Sequence, residues 1–438
     1  VSHLVIVGMG AAGFSAAEAI RKNLNDAAIT VVTDEPHGFY SRPGLAYVLT
    51  NELPEHQLFP GSGKSVSRLG LKPLIQRVVR LEPDAHQVVL ADGRRLDYDA
   101  LLLAPGAEAM VPTFPGADLP GVVTLDDMDD TREIWRRARR AKSAVVIGGG
   151  ITALELVEGL RAQKVTVHYF LRRERFWSSV LDPVESRMVE DRLAHEGILI
   201  HRHTEINQIV AKKDWRGRKK IAAVETNSGK MIRCDMVAVA VGVRPRLELI
   251  NGTNIQTDRG ILVNECMESN VPGIFAAGDV AQVFDPLTGK SQLDVLWPVA
   301  VAQGRVAGAN MAGVATTYRR AVPLNVTRLA GMVVTLVGSV GNRRDSDGDL
   351  VTISRGDSEV WRGIPNVIVV YDHHEINRQR LIIKENRLVG AIIVGDQTLS
   401  PLVEHLIQQR VDIGAIVPAL KTAGANLVDI LHRLPTTI

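Results

Sequence analysis

Apolar positions cluster along this chain in two different periods. Residues His3 to Val7 form a short unbroken β-rich run, followed by a glycine-rich turn. Ala12, Ala16, Ala19 and Ile20 then recur at helical spacing, which predicts a helix over Ala11–Asn23 and a second strand over Ala28–Thr33. The same order returns later, as a strand Ser143–Ile147, a turn, a helix from about Thr152 to Arg161 and a strand Val165–Phe170. Unbroken apolar strands alternating with helices predict parallel sheets covered on both faces. Between the two units, residues 86–106 show β-rich runs on either side of Asp92-Gly93, a hairpin signal, and end in the apolar Leu101-Leu102-Leu103. Pro105 to Pro120 holds four prolines and two glycines and reads as an extended linker. Met236–Val241 is the last core strand of the second unit, and Gly242 to Pro245 leaves it.

Residues 270–310 hold a short strand ending in AAGD and a helix rich in small residues. Beyond Pro323 the pattern changes. TRLAGMVVTLVGSVG, VIVVYDHH and RLIIKENRLVGAIIVG predict strands of an antiparallel or mixed sheet, with helices from LVEHLIQQR and the last ten residues. No repeat beyond the duplicated strand–helix–strand unit stands out.

With 438 residues, the chain is long enough for two or three domains. A net charge of +2 gives no argument for a nucleic-acid partner or a membrane surface. Two cysteines, Cys234 and Cys266, build neither a disulfide framework nor a Cys-rich metal site, in keeping with a cytoplasmic location. No signal peptide and no transmembrane span are expected.

The first turn supplies Gly8, Gly10 and Gly13 in G-x-G-x-x-G spacing. The first glycine permits the tight turn, the second lets a pyrophosphate approach the backbone, and the third lets helix and strand pack closely. The helix N-terminus then faces phosphate. Asp34, 21 residues beyond Gly13, ends the second strand, where a carboxylate accepts from a ribose 2′-hydroxyl. That pattern suits NAD and FAD alike.

Four further segments carry a resemblance. DEPHGFYSRPGL (Asp34 to Leu45, with Arg42-Pro43 its most specific part), LLLAPGA (Leu101 to Ala107), VPGIFAAGDVA (Val271 to Ala281) and WPVAVAQGRVAGANMAG (Trp297 to Gly313) follow in that order. Together with both glycine turns they make the whole chain resemble the pyridine nucleotide-disulfide oxidoreductase superfamily, in its branch without a redox disulfide. Rubredoxin and ferredoxin reductases, nitrite-reductase-type reductases and apoptosis-inducing-factor-like proteins belong to that branch. The resemblance implies an α/β fold of two Rossmann-like dinucleotide-binding domains, the second inserted in the first, plus a C-terminal α+β domain. It implies an FAD domain at 1–115 and 242–322, an NAD(P)H domain at 116–241, and a C-terminal domain at 323–438 that forms a dimer interface in many relatives. FAD would meet Gly8, Gly10, Ala12, Gly13, Asp34, Arg42, Pro43, Ala104, Gly106, Gly278, Asp279, Trp297 and Ala300. Asp279 would contact the ribityl chain; read alone, it also suits a helix N-cap.

The second turn has Gly148, Gly150 and Ala153 at the fingerprint positions, the last tolerated because only a small group is needed. With Gly242 it would hold NAD(P)H. Glu155 matches a family glutamate close to flavin and nicotinamide, and is the candidate catalytic residue. NADH-using relatives end the next strand in an acid near position 169 or 170. Here Tyr169 and Phe170 are followed by Arg172 and Arg173, which favours NADPH, since guanidinium groups pair with a 2′-phosphate. Glu174 on a longer loop offers a return to the ribose.

The superfamily's dithiol and single-Cys members place their thiol soon after the first ribose acid, and no Cys lies before Lys230 here. Disulfide reduction through a protein thiol is therefore not expected. Tyr47 or Ala46 stands where many relatives have a Lys paired with the glutamate matching Glu155. GSGKS (Gly61 to Ser65) lacks the first glycine of a P-loop and reads as a surface loop. His373-His374 diverge in any regular element, so no metal site is expected. The activity implied is electron transfer from NAD(P)H through flavin to a small acceptor or an iron–sulfur protein. The alternative is a non-catalytic FAD scaffold or regulatory subunit of a larger redox complex.

Overall fold

The computed structural model describes residues 2–59, 64–285, 289–338, 340, 377–420 and 427–431. Two fully parallel five-stranded sheets dominate it. In the first, His3–Val7 lies between Ala28–Thr33 and Ala100–Leu103, with Leu74–Ile75 and Ile274–Ala276 at the edges. In the second, Ser143–Ile147 lies between Thr166–Leu171 and Met236–Val239, with Leu199–Arg202 and Val122–Val123 outside. The central strands are buried on both faces, which is why their sequences are apolar throughout rather than alternating. Each glycine turn therefore leaves the carboxyl end of a central strand, where open α/β sheets bind ligands.

The helices run Ala11–Asn23 and Ile151–Ala162, each within a residue or so of the expectation. Met236–Val239 stops two residues short of its predicted end, because Gly242 turns at φ +130° into a new strand, Val243–Pro245. That strand pairs antiparallel with Ala107–Ala109, inside the segment read as an extended linker. The outgoing and returning connections thus form a two-stranded clasp. Both sheets also carry a three-stranded antiparallel meander, Val78–Glu82/Gln87–Leu90/Arg95–Asp97 and Ile206–Lys213/Lys219–Thr226/Met231–Arg233. The hairpin signal revealed the first, but the duplication extends further than the sequence reading had it.

Toward the C-terminus, Leu324–Leu329, Met332–Gly338, Arg387–Val394 and Arg378–Lys384 form a four-stranded antiparallel sheet in that spatial order. Helix Ser400–Gln408 packs Val403, Leu406 and Ile407 onto it. By compactness the described residues of 2–176 and 194–320 form the first unit, and those of 177–193, 321–340, 377–420 and 427–431 the second. Inside the second unit, Glu185 is almost wholly buried and accepts from Arg380 at 2.9 Å, while Arg378 donates to Asp182 at 2.6 Å. The strand expected over VIVVYDHH, the pair His373-His374, Gly61 to Gly63 of GSGKS and most of the last ten residues lie outside the described residues.

Candidate functional site

The first glycine turn is shaped by close contacts. Gly8 has φ +101°, and a Cβ there would meet the Ala104 carbonyl oxygen at 2.1 Å. A Cβ on Gly13 would meet the Gly8 carbonyl oxygen at 2.0 Å. One on Gly10 would meet nothing within 4 Å. Gly8 and Gly13 are glycine for the packing of strand, turn and helix, whereas Gly10 faces open space. The helix it starts has no side-chain cap and no acid in its first turn, and ends in Arg21 and Lys22. Its orphan N–H groups remain available to an anion.

That turn lines a cleft of about 1330 Å³, counting the space open at its mouth. Gly8, Gly10, Asp34, Arg42, Ala104, Gly106 and Asp279 all line it, although they come from four separate stretches of chain. The residues present suit a dinucleotide, with room for phosphate before Gly10, an exposed carboxylate at a strand end and a second acid at Asp279.

Asp279 follows Gly278, which turns at φ +79° and donates its N–H to Gln303 Oε1 at 2.8 Å. A Cβ on Gly278 would lie 3.1 Å from that of Ala12 and 3.6 Å from that of Ala300. Ala12 and Ala300, both buried, therefore close the floor behind Gly278. Helix Trp297–Met311 crosses the first helix so closely that a Cβ on Gly304 would meet the Ala12 carbonyl oxygen at 2.1 Å. Trp297, at its start, stacks on Phe39 (5.6 Å), which stacks on Phe14 (4.1 Å).

Sequence reasoning passed over the frame around Arg42. Its guanidinium pairs with Glu35 and donates to the Asp126 carbonyl at 2.5 Å. Tyr40 donates to Glu35 at 2.6 Å and accepts from the Met128 N–H at 3.2 Å. Burial pushes the Tyr40 phenol well above its usual range, so it stays a donor. Arg246 reaches Asp126 at 3.2 Å and the Pro105 carbonyl at 3.4 Å, and lines the same cleft. The signal was the second arginine of Gly-Val-Arg-Pro-Arg (Gly242 to Arg246). Pro43 follows Arg42 and leads into helix Leu45–Leu49.

The second glycine turn repeats the first. Gly148 has φ +142°, and a Cβ there would meet the Ala240 carbonyl oxygen at 2.1 Å and the Ala153 Cβ at 2.9 Å. A Cβ on Gly149 would meet nothing within 4 Å, and Gly150 caps the helix in an extended conformation. Tyr169 and Phe170 are fully buried, so neither side chain can face a ligand beyond the strand end. The chain emerges at Arg172, Arg173 and Glu174, all exposed, and Glu174 is paired with Arg175. Half-buried Glu155 lies in the second turn of its helix. That helix packs on Leu45–Leu49, the helix of Tyr47, with Leu49 against Gly159 and Gln163 donating to the Leu49 carbonyl at 3.0 Å.

No cysteine lines the cleft. Burial pushes the Cys234 thiol up to about 12, far from a thiolate at neutral pH. Among the described residues no three potential metal ligands come together.

Residues 2–304 match the family described as pyridine nucleotide-disulphide oxidoreductase, and residues 349–411 match the rubredoxin NAD+ reductase C-terminal domain. Rhodocoxin reductase of Rhodococcus erythropolis is 34% identical over 324 residues, which are 72% of this chain and 73% of that one. The crystal structure of NADH:rubredoxin oxidoreductase from Clostridium acetobutylicum is similar with a TM-score of 0.75 at 25% identity, over 99% of this chain and 100% of that one. Putidaredoxin reductase, in its covalent complex with putidaredoxin, shares the fold with a TM-score of 0.81 at 23% identity, covering 99% of this chain and 98% of the other. Two glycine turns at the ends of two parallel sheets, Asp279 lining the cleft of the first, and a family match over residues 2–304 make this chain a member of the pyridine nucleotide-disulphide oxidoreductase family.

Proposed function

We propose that this protein is an FAD-dependent NAD(P)H oxidoreductase that passes electrons to a small redox protein or small acceptor without a protein thiol. The observation that carries the reading is the convergence of Gly10, Asp34, Arg42 and Asp279 on one cleft, with a second glycine turn of the same build in the same compact unit. We divide the chain functionally into an FAD region, 1–115 and 242–322, an NAD(P)H region, 116–241, and a C-terminal region, 323–438. The bound flavin would supply the chemistry of accepting a hydride and releasing electrons in pairs or singly.

The chain's own residues hold and orient. Gly8, Gly10 and Gly13 shape the pyrophosphate turn, and Asp34 takes the ribose. Gly278 and Asp279 present a carboxylate to the ribityl hydroxyls, while Ala12 and Ala300 let the two helices close behind them. Arg42, fixed by Glu35 and the Asp126 carbonyl, presents a preset positive charge, and Pro43 directs the chain onward. Ala104 and Gly106 form the opposite wall, with Trp297 at the head of the flavin-side helix. Gly148, Gly150, Ala153 and Gly242 shape the NAD(P)H turn, and Glu155, on the helix that packs on Leu45–Leu49, is the residue assigned to the flavin–nicotinamide contact. The printed names of the relatives, reductases of rubredoxin, putidaredoxin and rhodocoxin, support a small electron-carrier protein as acceptor.

Arg172 and Arg173 favour NADPH. They are exposed where the chain leaves the strand, and the acid nearest them is paired with Arg175. A charge-assisted contact with phosphate contributes about 1.5–3 kcal/mol, or roughly ten- to a hundredfold in preference. Replacing both arginines by Ala should erase that preference in stopped-flow flavin reduction; a preference left intact in the double variant assigns them to the surface. The reading itself is tested by mixing FAD-loaded protein anaerobically with NADPH or NADH. Bleaching of the flavin absorbance within seconds is expected, whereas a band unmoved by both nucleotides would make the chain a flavin scaffold.

A further inference from the structure

The second meander ends in a hairpin that its fold does not require. Lys212 stands opposite Lys220 and Lys213 opposite Lys219 across the antiparallel pair. Like charges directly opposite are destabilising. Arg216 and Arg218 occupy the turn, so six of the nine residues from Lys212 to Lys220 are basic. The single acid, Asp214, faces inward with its side chain 5% exposed. It accepts from the Arg216 and Arg218 backbone N–H groups at 2.8 and 2.9 Å and from Arg218 Nε at 3.1 Å. Asp214 therefore builds the turn and, with Lys220 Nζ also 3.9 Å away, offsets one of the six basic charges, so the hairpin stays strongly positive. At the tip Trp215 is 83% exposed, the most exposed large hydrophobic side chain among the described residues. The Arg216 guanidinium lies 4.2 Å from the centre of its ring. A net charge of +2 for the whole chain conceals this concentration.

We propose that this hairpin is a peripheral docking tip for an anionic lipid bilayer. Trp215 enters the headgroup layer while the four lysines and two arginines around it meet anionic headgroups. Tryptophan prefers the membrane–water interface, basic residues beside an anionic leaflet each add attraction, and long basic side chains keep their charge in the polar layer. The shape favours a bilayer over other polyanions. A single exposed indole offers no row of aromatic side chains for successive bases to stack on, and lysine is depleted at the cores of protein interfaces. No helix among the described residues is long and apolar enough to cross a membrane, so the attachment is superficial and reversible.

The test is sedimentation of the FAD-loaded full chain with phosphatidylcholine vesicles, alone or with about one third phosphatidylserine, over a range of salt. Binding to the anionic vesicles should exceed binding to neutral ones by about tenfold or more and fall steeply with salt. Trp215→Ala should weaken it by about tenfold and, separately, K212Q/K213Q/K219Q/K220Q by about a hundredfold or more, with NADPH–ferricyanide turnover unchanged and the melting temperature not lowered. Loss of binding in both variants with the fold intact supports the docking tip. Equal binding to both vesicle types, or parent-like binding by the lysine variant, overturns it. So does tighter binding to a single-stranded oligonucleotide than to anionic vesicles, which would assign the tip to nucleic acid.

Discussion

Asp279 and Asp130 show how position gives identical carboxyl groups different tasks. Asp279 stands at the carboxyl end of a buried strand and lines the large cleft. Replacing it by Ala should weaken FAD retention by roughly ten- to a hundredfold, the loss of a hydrogen bond to a charged acceptor. Equilibrium dialysis of the variant against FAD measures this; no helix follows Asp279, which the sequence also suited as an N-cap, so unchanged retention would reduce it to a residue of the turn before strand Ala281–Asp285. Asp130 is held in the frame behind Arg42, accepting from Thr124 at 2.7 Å and the Asp126 N–H at 2.9 Å. Burial, with the neighbouring charges of Asp127 and Asp126, pushes its carboxyl from 3.8 up to about 6. The folded state thus binds this proton more tightly than the unfolded one. The resulting stability is complete below the unfolded value and is lost as pH rises through about 6. Asp130→Asn, permanently neutral and still an acceptor, should gain on the parent between pH 4 and 6 and hold a constant lead above that, at most about 3 kcal/mol. Parallel melting curves against pH check it; a constant difference across that range rules the titration out.

At the scale of elements, the glycine turns separate folding from binding. Gly8 and Gly10 look alike in the sequence, but a Cβ would strike a backbone oxygen at Gly8 and open space at Gly10. Gly8→Ala, strained at φ +101° as well, should destabilise the protein by about 2–4 kcal/mol, read as a lowered melting temperature of the FAD-free form. Gly10→Ala should leave that temperature nearly unchanged and lower FAD affinity instead. A Gly10→Ala variant that melts like Gly8→Ala and keeps its FAD would contradict this division. The crossing of Ala11–Asn23 with Trp297–Met311 follows the same physics, since Gly304 and Gly308 let backbones touch where larger residues would force the helices apart. The strand Thr166–Leu171 also runs one residue further than its sequence pattern, so the chain leaves it at Arg172 and Arg173.

For the whole molecule, the placement of the thiols decides which acceptors are open to it. Cys234 is buried among apolar side chains of the second sheet's core, and Cys266 is partly buried and does not line the cleft. In the proposed reaction, electrons leave the flavin without passing through a protein thiol. NAD(P)H should reduce ferricyanide readily and glutathione disulfide hardly at all, and C234S/C266S should keep ferricyanide turnover within a few-fold of the parent. A drop of about a hundredfold with FAD content intact, equivalent to nearly 3 kcal/mol, would show that a thiol carries electrons.

Local patterns by themselves determined the two strand–turn–helix–strand units, the small-residue helix and the change of character after Pro323. In these segments period and glycine spacing act over a few residues. The same locality made Gly8, Gly10, Gly13 and Asp34 legible as a set, whereas Asp279 was legible only through the family resemblance. Tertiary structure alone decided which glycines face open space and which face backbone. It also placed Arg246 with Arg42, turned a proline-rich linker into one strand of a clasp with Val243–Pro245, and raised a basic hairpin with an exposed tryptophan out of a nearly neutral chain. Each of these depends on partners about 80 to 140 residues apart, or on which side of an element meets solvent. Periodicity along the chain carries no information about either.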